Sequence, residues 1–231
     1  MAYTDKNKLR VVYGDYTLGV HGEGFDYIFS YSQGGIESIV KKGYEWLYRC
    51  PKPTFWRALT DNDRGSRFHI KSGSWLASDM FIDCKKTEVI MDGERQKQYA
   101  PDNNSYGGDV AAGEIIVKYT YETVSNPVTT VIVSYTIDVI GNIKVDVDYT
   151  GVKGLPELPV FGMRFIMPTL ADKYMYKGLS GETYPDRKAG AEKGKQAVVS
   201  LNWPQAVIRL HYTENAESVV MQEANEGEQT E

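Results

Sequence analysis

Between residues 142 and 150 apolar and polar side chains alternate without a break. Ile143, Val145, Val147 and Tyr149 share one face, while Asn142, Lys144, Asp146 and Asp148 take the other. Successive side chains of an extended chain point to opposite sides, so this period of two specifies a strand with one buried face. The same pattern runs through residues 114–123, with Ile115, Val117, Tyr119 and Tyr121 inward, and through 129–139, with Val131, Val133, Tyr135, Ile137 and Val139 inward. Ile140-Gly141-Asn142 separates the last two runs by a turn of hairpin length, so the three strands are expected to form an antiparallel meander.

The first fifty residues read as more sheet. Short apolar runs at 8–14, 16–20, 25–31, 36–40 and 44–48 are cut by Gly14, Gly19, Gly22, Gly24, the Gly34-Gly35 pair and Gly43. Seventeen tyrosines suit a pleated, half-buried surface. One helix is expected over residues 72–82, with Ser72 or Ser74 as its cap and Trp75, Leu76, Asp79 and Met80 near helical spacing. Without regularly alternating helices, neither a TIM barrel nor a dinucleotide fold is available. The expected class is all-β, a large antiparallel sandwich over residues 1–194, followed by a divergent segment, 195–231, with an acidic tail.

Charge narrows the function. The net charge is −5, but six of the 31 acidic residues lie in 213–231, where there is no Lys or Arg, leaving 25 against the 26 bases elsewhere. The body is near neutral and lacks the basic footprint of a nucleic-acid binder. No apolar run approaches the roughly 20 residues of a membrane helix, and the opening residues lack the apolar core of a signal peptide. A cytoplasmic protein is expected. Cys50 and Cys84 stand 34 positions apart and fit neither a disulfide framework nor a zinc site, so both read as reduced thiols.

The densest group of unusual residues is FWRALTDNDRGSRFH, 55–69. Asp61, Asn62, Asp63 and Gly65 invite a calcium-loop reading. An EF-hand counted from Asp61 would need glycine sixth and glutamate twelfth, where the chain has Ser66 and Ser72. The alternative is that Asp61 and Asp63 cap turns by accepting from backbone amides, with Arg57 or Arg64 as counter-charge. A third reading is sugar recognition, since Phe55 and Trp56 offer stacking faces beside the polar Arg57, Asp61, Asn62 and Asp63. The carboxylate pair of a glycosidase cannot be singled out among 31 acids. His21, His69 and His211 come with no GxSxG element, and no phosphate-binding glycine motif occurs.

The segments 53–66 (PTFWRALTDNDRGS), 25–48, 155–168 (LPELPVFGMRFIMP) and 178–191 (GLSGETYPDRKAGA) resemble the small-chain domain of glycoside hydrolase family 2 β-galactosidases, in particular the separate small subunit of heterodimeric bacterial enzymes. The similarity covers about residues 8–194. It implies a galactose-mutarotase-like supersandwich, incomplete at its C-terminus, which is the class read above from alternation. It further implies that the reactive glutamates, and the magnesium beside them, belong to the TIM barrel of a large catalytic subunit, so that this chain holds no catalytic residue, cofactor or metal of its own. What the chain would supply is a loop bordering the galactoside pocket, mapped onto Asp61, Asn62, Asp63, Arg64 and Gly65 and continuing to about Ser74. In the family this loop moves between open and closed positions, and Gly65 would suit its hinge.

Beyond Lys195 the resemblance stops. The family's Pro-x-Glu-x-Gly element and its late Gly-Asp-x-x-Trp are missing, and Trp203, in an Asn-Trp-Pro context, does not replace the latter. A sandwich lacking late strands is expected to leave unpaired edges that favour association with another chain. Besides the subunit reading, an aldose epimerase, a stand-alone carbohydrate-binding or assembly module, and an inactive truncated remnant stay open.

Overall fold

A computed structural model describes residues 7–97, 110–168, 179–181, 191–193, 206–214 and 218–224. The first sheet is built from β1 (Leu9–Tyr13), β2 (Thr17–Gly22), β3 (Phe25–Ser30), β4 (Gly35–Lys41) and β5 (Tyr44–Glu45). β6 (Arg49–Thr54) then leads out through an excursion holding two short helices, α1 (Asp61–Gly65) and α2 (Phe68–Lys71). The chain returns as β7 (Asp83–Met91) and β8 (Glu94–Gln96), then β9 (Val110–Ala112), β10 (Glu114–Glu122), β11 (Thr130–Asp138), β12 (Ile143–Thr150) and β13 (Gly162–Ile166). Last come β14 (Leu179–Gly181), β15 (Ala191–Lys193), β16 (Ala206–Glu214) and β17 (Ser218–Ala224).

These strands form a six-stranded sheet, β5-β4-β3-β2-β1-β9, and a seven-stranded sheet, β17-β16-β12-β11-β10-β7-β8. Small two-stranded ribbons join β6 to β13 and β14 to β15. The expected meander is present: β10 pairs β11 from Glu114↔Asp138 to Glu122↔Thr130, and β11 pairs β12 from Val131↔Tyr149 to Ile137↔Ile143. The inward residues read from alternation are buried, except that Val139 is only partly covered beyond the end of β11. Slipping the register by one residue would turn the whole apolar set to solvent, so burial of this face fixes the pairing.

The core lies between the two sheets. Leu9, Val11, Leu18, Val20, Tyr27 and Phe29 from one meet Val117, Tyr119, Val133, Tyr135 and Val147 from the other, all of them fully buried. Five of the tyrosines, Tyr27, Tyr119, Tyr121, Tyr135 and Tyr149, are not half-buried but interior, and three of them reach across the gap with their hydroxyls. Tyr27 donates to the Gly141 carbonyl at 2.6 Å, Tyr119 to that of Gly35 at 3.3 Å, and Tyr121 to that of Gly34. A phenol pays little for burial when its O–H finds such a partner. Gly141 is required where it stands: it has φ +77, and a Cβ there would lie 2.5 Å from the Phe25 ring.

Both cysteines are free thiols. Burial pushes the Cys50 thiol up to about 11 and raises that of Cys84 as well, which makes both poor nucleophiles at neutral pH.

One expectation changes. The helix over 72–82 is replaced by a single 3-10 turn at Gly73–Trp75. Leu76 is extended and Ala77 has φ +62, which stops any continuation, and Ser72 caps nothing. β6 was hidden because Pro51 and Pro53 remove ladder donors, which confines it to a two-stranded ribbon with β13. β12 is paired on its other side by β16, in parallel register from Ile143↔Ala206 to Thr150↔Thr213, and β16 in turn pairs β17.

Candidate functional site: a capped loop on the excursion

The TDND run begins a helix rather than a coil. Thr60 is the N-cap, its Oγ1 accepting from the Asp63 N–H at 3.2 Å while the Asp63 carboxylate accepts from the Thr60 N–H at 2.8 Å. This reciprocal pair is a capping box with aspartate in the position more often held by glutamate. The same carboxylate takes both arms of Arg57, whose terminal nitrogens donate at 2.6 and 3.1 Å. Arg57 also donates from Nε to the Pro159 carbonyl at 3.2 Å and from a terminal nitrogen to that of Ala58 at 3.0 Å. A planar guanidinium can hold such a fork and still reach elsewhere, as an ammonium cannot. The Arg57 fork, followed by the Thr60 amide, holds the Asp63 carboxyl far below the usual carboxylate range.

Asp61 and Arg64 sit on the outer side of α1, both exposed, and pair with each other at 2.9 Å. Asn62 is exposed, and its carbonyl accepts from the Ser66 N–H at 2.9 Å. The structure therefore gives Asp63 the capping role and Arg57 the counter-charge, with Arg64 serving Asp61. The two carboxylates diverge onto different arginines, so they do not form the convergent oxygen cage that a calcium loop needs. Among the described residues no group of three or more His, Cys, Asp or Glu is arranged to hold a metal ion.

Gly65 closes α1 with open space around its Cβ position and without a positive φ. The left-handed backbone of the excursion falls instead on Arg67 (φ 57) and Ala77 (φ 62), residues whose type gives no sign of it in the sequence.

The excursion is tied to the sandwich by Trp75. Its indole is fully buried, stacks on Phe55 at 5.5 Å, meets Tyr149 edge-on at 6.2 Å, and donates Nε1–H to the Pro156 carbonyl at 3.1 Å. Arg164 on β13 pairs with Asp79 at 2.9 Å and donates to Thr54 Oγ1 at 2.9 Å. Sequence reasoning missed Trp75 and Asp79 as anchors because, Phe55 apart, their partners Tyr149, Pro156 and Arg164 lie about 75 to 85 residues away. Thr60 was missed as well, although its T-x-x-D spacing is the signal that could have found it. The ETYPDR segment and Trp203 lie outside the described residues.

Two facing, mostly antiparallel sheets with a capped loop inserted between β6 and β7 define an all-β sandwich domain. Residues 21–199 match the family described as beta galactosidase small chain, and the chain belongs to that family. It is 56% identical to the beta-galactosidase small subunit of Latilactobacillus sakei, over 87% of this chain and 63% of that one. It is also 35% identical to a beta-galactosidase of Clostridium acetobutylicum, over 83% of this chain and 19% of the relative, and 32% identical to one of Halalkalibacterium halodurans, over 80% and 17%. The chain thus spans less than two thirds of the small subunit it matches and under a fifth of the longer β-galactosidases.

Proposed function

We propose that this chain is the small, non-catalytic subunit of a β-galactosidase that hydrolyses terminal β-D-galactosides such as lactose in the cytoplasm. The observation that carries the reading is the 56% identity to a β-galactosidase small subunit over 87% of the chain. The partner is a large catalytic chain that supplies the reactive glutamates and the magnesium beside them, and the galactoside binds in a pocket the two chains share. The Asp61–Gly65 loop borders that pocket.

The chemistry of the loop agrees with a wall rather than a reactive centre. Asp63 accepts from Arg57 twice and from the Thr60 amide, and its carboxyl is held low. A carboxylate so occupied is a poor proton donor at neutral pH, whereas a glycosidase acid needs its pKa raised. Asp61, Asn62 and Arg64 are exposed and left to meet sugar hydroxyls or the partner chain.

The test is co-expression with a large chain and hydrolysis of o-nitrophenyl-β-galactoside. Activity is expected only when both chains are present. Hydrolysis by this chain alone, or a large chain equally active without it, overturns the proposal.

A further inference from the structure

Ile70, Leu76, Met80 and Phe81 are 67%, 61%, 76% and 65% exposed. We propose that the segment from Ile70 to Phe81 is the surface on which the large catalytic chain docks, an inference that rests on the subunit reading above. A loop free to relax would turn such large apolar groups inward, away from water. This one is held. Trp75, in its middle, is locked into the core against Phe55 and the Pro156 carbonyl. The Ser78 hydroxyl donates to the Ser74 carbonyl at 3.0 Å, and Asp79 is clamped by Arg164 at 2.9 Å. Arg67 and Ala77, on either side of Trp75, keep backbone angles that cost energy for any residue with a Cβ. Such strain survives where the surrounding structure enforces it, and it clusters at working surfaces. The outward display of Leu76, Met80 and Phe81 is therefore built into the fold.

Two observations choose the occupant. In the relatives from Clostridium acetobutylicum and Halalkalibacterium halodurans the matched region is only 19% and 17% of the polypeptide. There the remainder of a β-galactosidase is part of the same chain, whereas the Latilactobacillus sakei relative is a small subunit, and on the subunit reading the remainder belongs to a second molecule. The segment also begins only five residues beyond Gly65, in the same excursion as Asp61–Gly65. A loop can wall a pocket on another chain only if the residues beside it touch that chain, and exposed apolar groups at the centre of a contact are what such an interface buries.

The experiment compares wild type, the triple variant Leu76→Asp/Met80→Asp/Phe81→Asp, and the control Tyr16→Asp on the β1–β2 turn, where Tyr16 is 74% exposed. Each is mixed with the large chain that accompanies the Latilactobacillus sakei small subunit, and affinity is read by biolayer interferometry alongside a thermal melt. The triple variant is expected to keep the wild-type melt and lose at least a hundredfold in affinity, while Tyr16→Asp binds as wild type. Should the triple variant unfold, Met80→Ser/Phe81→Ser is expected to show a loss of at least tenfold. Wild-type affinity in a folded patch variant overturns the inference while leaving the subunit reading intact. A wild-type chain that binds no large chain overturns both. A self-associated wild type that the triple variant renders monomeric, with large-chain binding unchanged, assigns the surface to a second copy and overturns the inference as well.

Discussion

The sandwich interior and the excursion between β6 and β7 bury opposite kinds of group. Between the sheets the polar atoms are few and sit at the tips of tyrosines, the hydroxyls of Tyr27, Tyr119 and Tyr121 donating to carbonyls across the core, those of Gly141 and Gly34 in turns and that of Gly35 in β4. In the excursion a buried carboxylate, Asp63, organises the backbone, while Leu76, Met80 and Phe81 face outward. The first arrangement needs only water to drive it. The second makes sense when an outside surface completes it, and the contrast separates the part of the chain that folds for itself from the part that folds for an encounter.

The largest expected effect tests whether the excursion truly belongs to the core. Trp75→Ala removes a fully buried indole and its bond to Pro156, and is expected to cost about 3–5 kcal/mol in urea unfolding, comparable to a central sandwich residue. A loss below about 1 kcal/mol would make the excursion an appendage and break the comparison.

Next comes Gly141→Ala, on the sandwich side. The new Cβ would meet the Phe25 ring from a backbone with φ +77, and a loss of about 1–3 kcal/mol is expected by the same measurement. Thr60→Ala, which removes one half of the capping box, is expected to cost about 1 kcal/mol.

Asp63 adds a pH signature that the apolar interior lacks. Its carboxyl is depressed in the folded chain, so the stability it contributes is fully present above the ordinary carboxylate range and is lost as pH falls below about 4 toward the folded value. The gap in melting temperature between wild type and Asp63→Asn should therefore be widest near neutrality and close progressively in acid. A gap that is constant with pH would remove the carboxylate from the account of the loop.

The smallest expected effect is Ala77→Gly. In an ordinary position this change destabilises, but at φ +62 it should be neutral or stabilising by roughly 0.5 kcal/mol, because glycine accepts the left-handed backbone. A clear loss would mean that the Ala77 methyl packs usefully.

How much of this was readable follows from the same contrast. β10, β11 and β12 each present one face to the core over eight or nine residues, so the alternation of Ile115 to Tyr149 gave the strands, their order and their inward sides. The helices α1 and α2 have five and four residues, too few for a period of 3.6 to show itself. Around Trp75 the sequence offers helix-like spacing, but the backbone obeys tertiary contacts with Phe55, Tyr149 and Pro156 that no local window contains. At the loop, the turn-capping alternative read for Asp61 and Asp63 describes Asp63, whose carboxylate closes the capping box with Thr60. The division of labour among them depended on Arg57, which reaches Asp63 and Pro159 at once.

That guanidinium makes the loop poor material for transplantation. A protein engineer who moved residues 60–65 into a different scaffold would carry a helix cap but leave behind both the arginine that neutralises it and the carbonyl, about a hundred residues downstream, that aims the arginine. The smallest unit worth grafting, or inheriting by recombination, is thus discontinuous: two stretches of chain that must travel together.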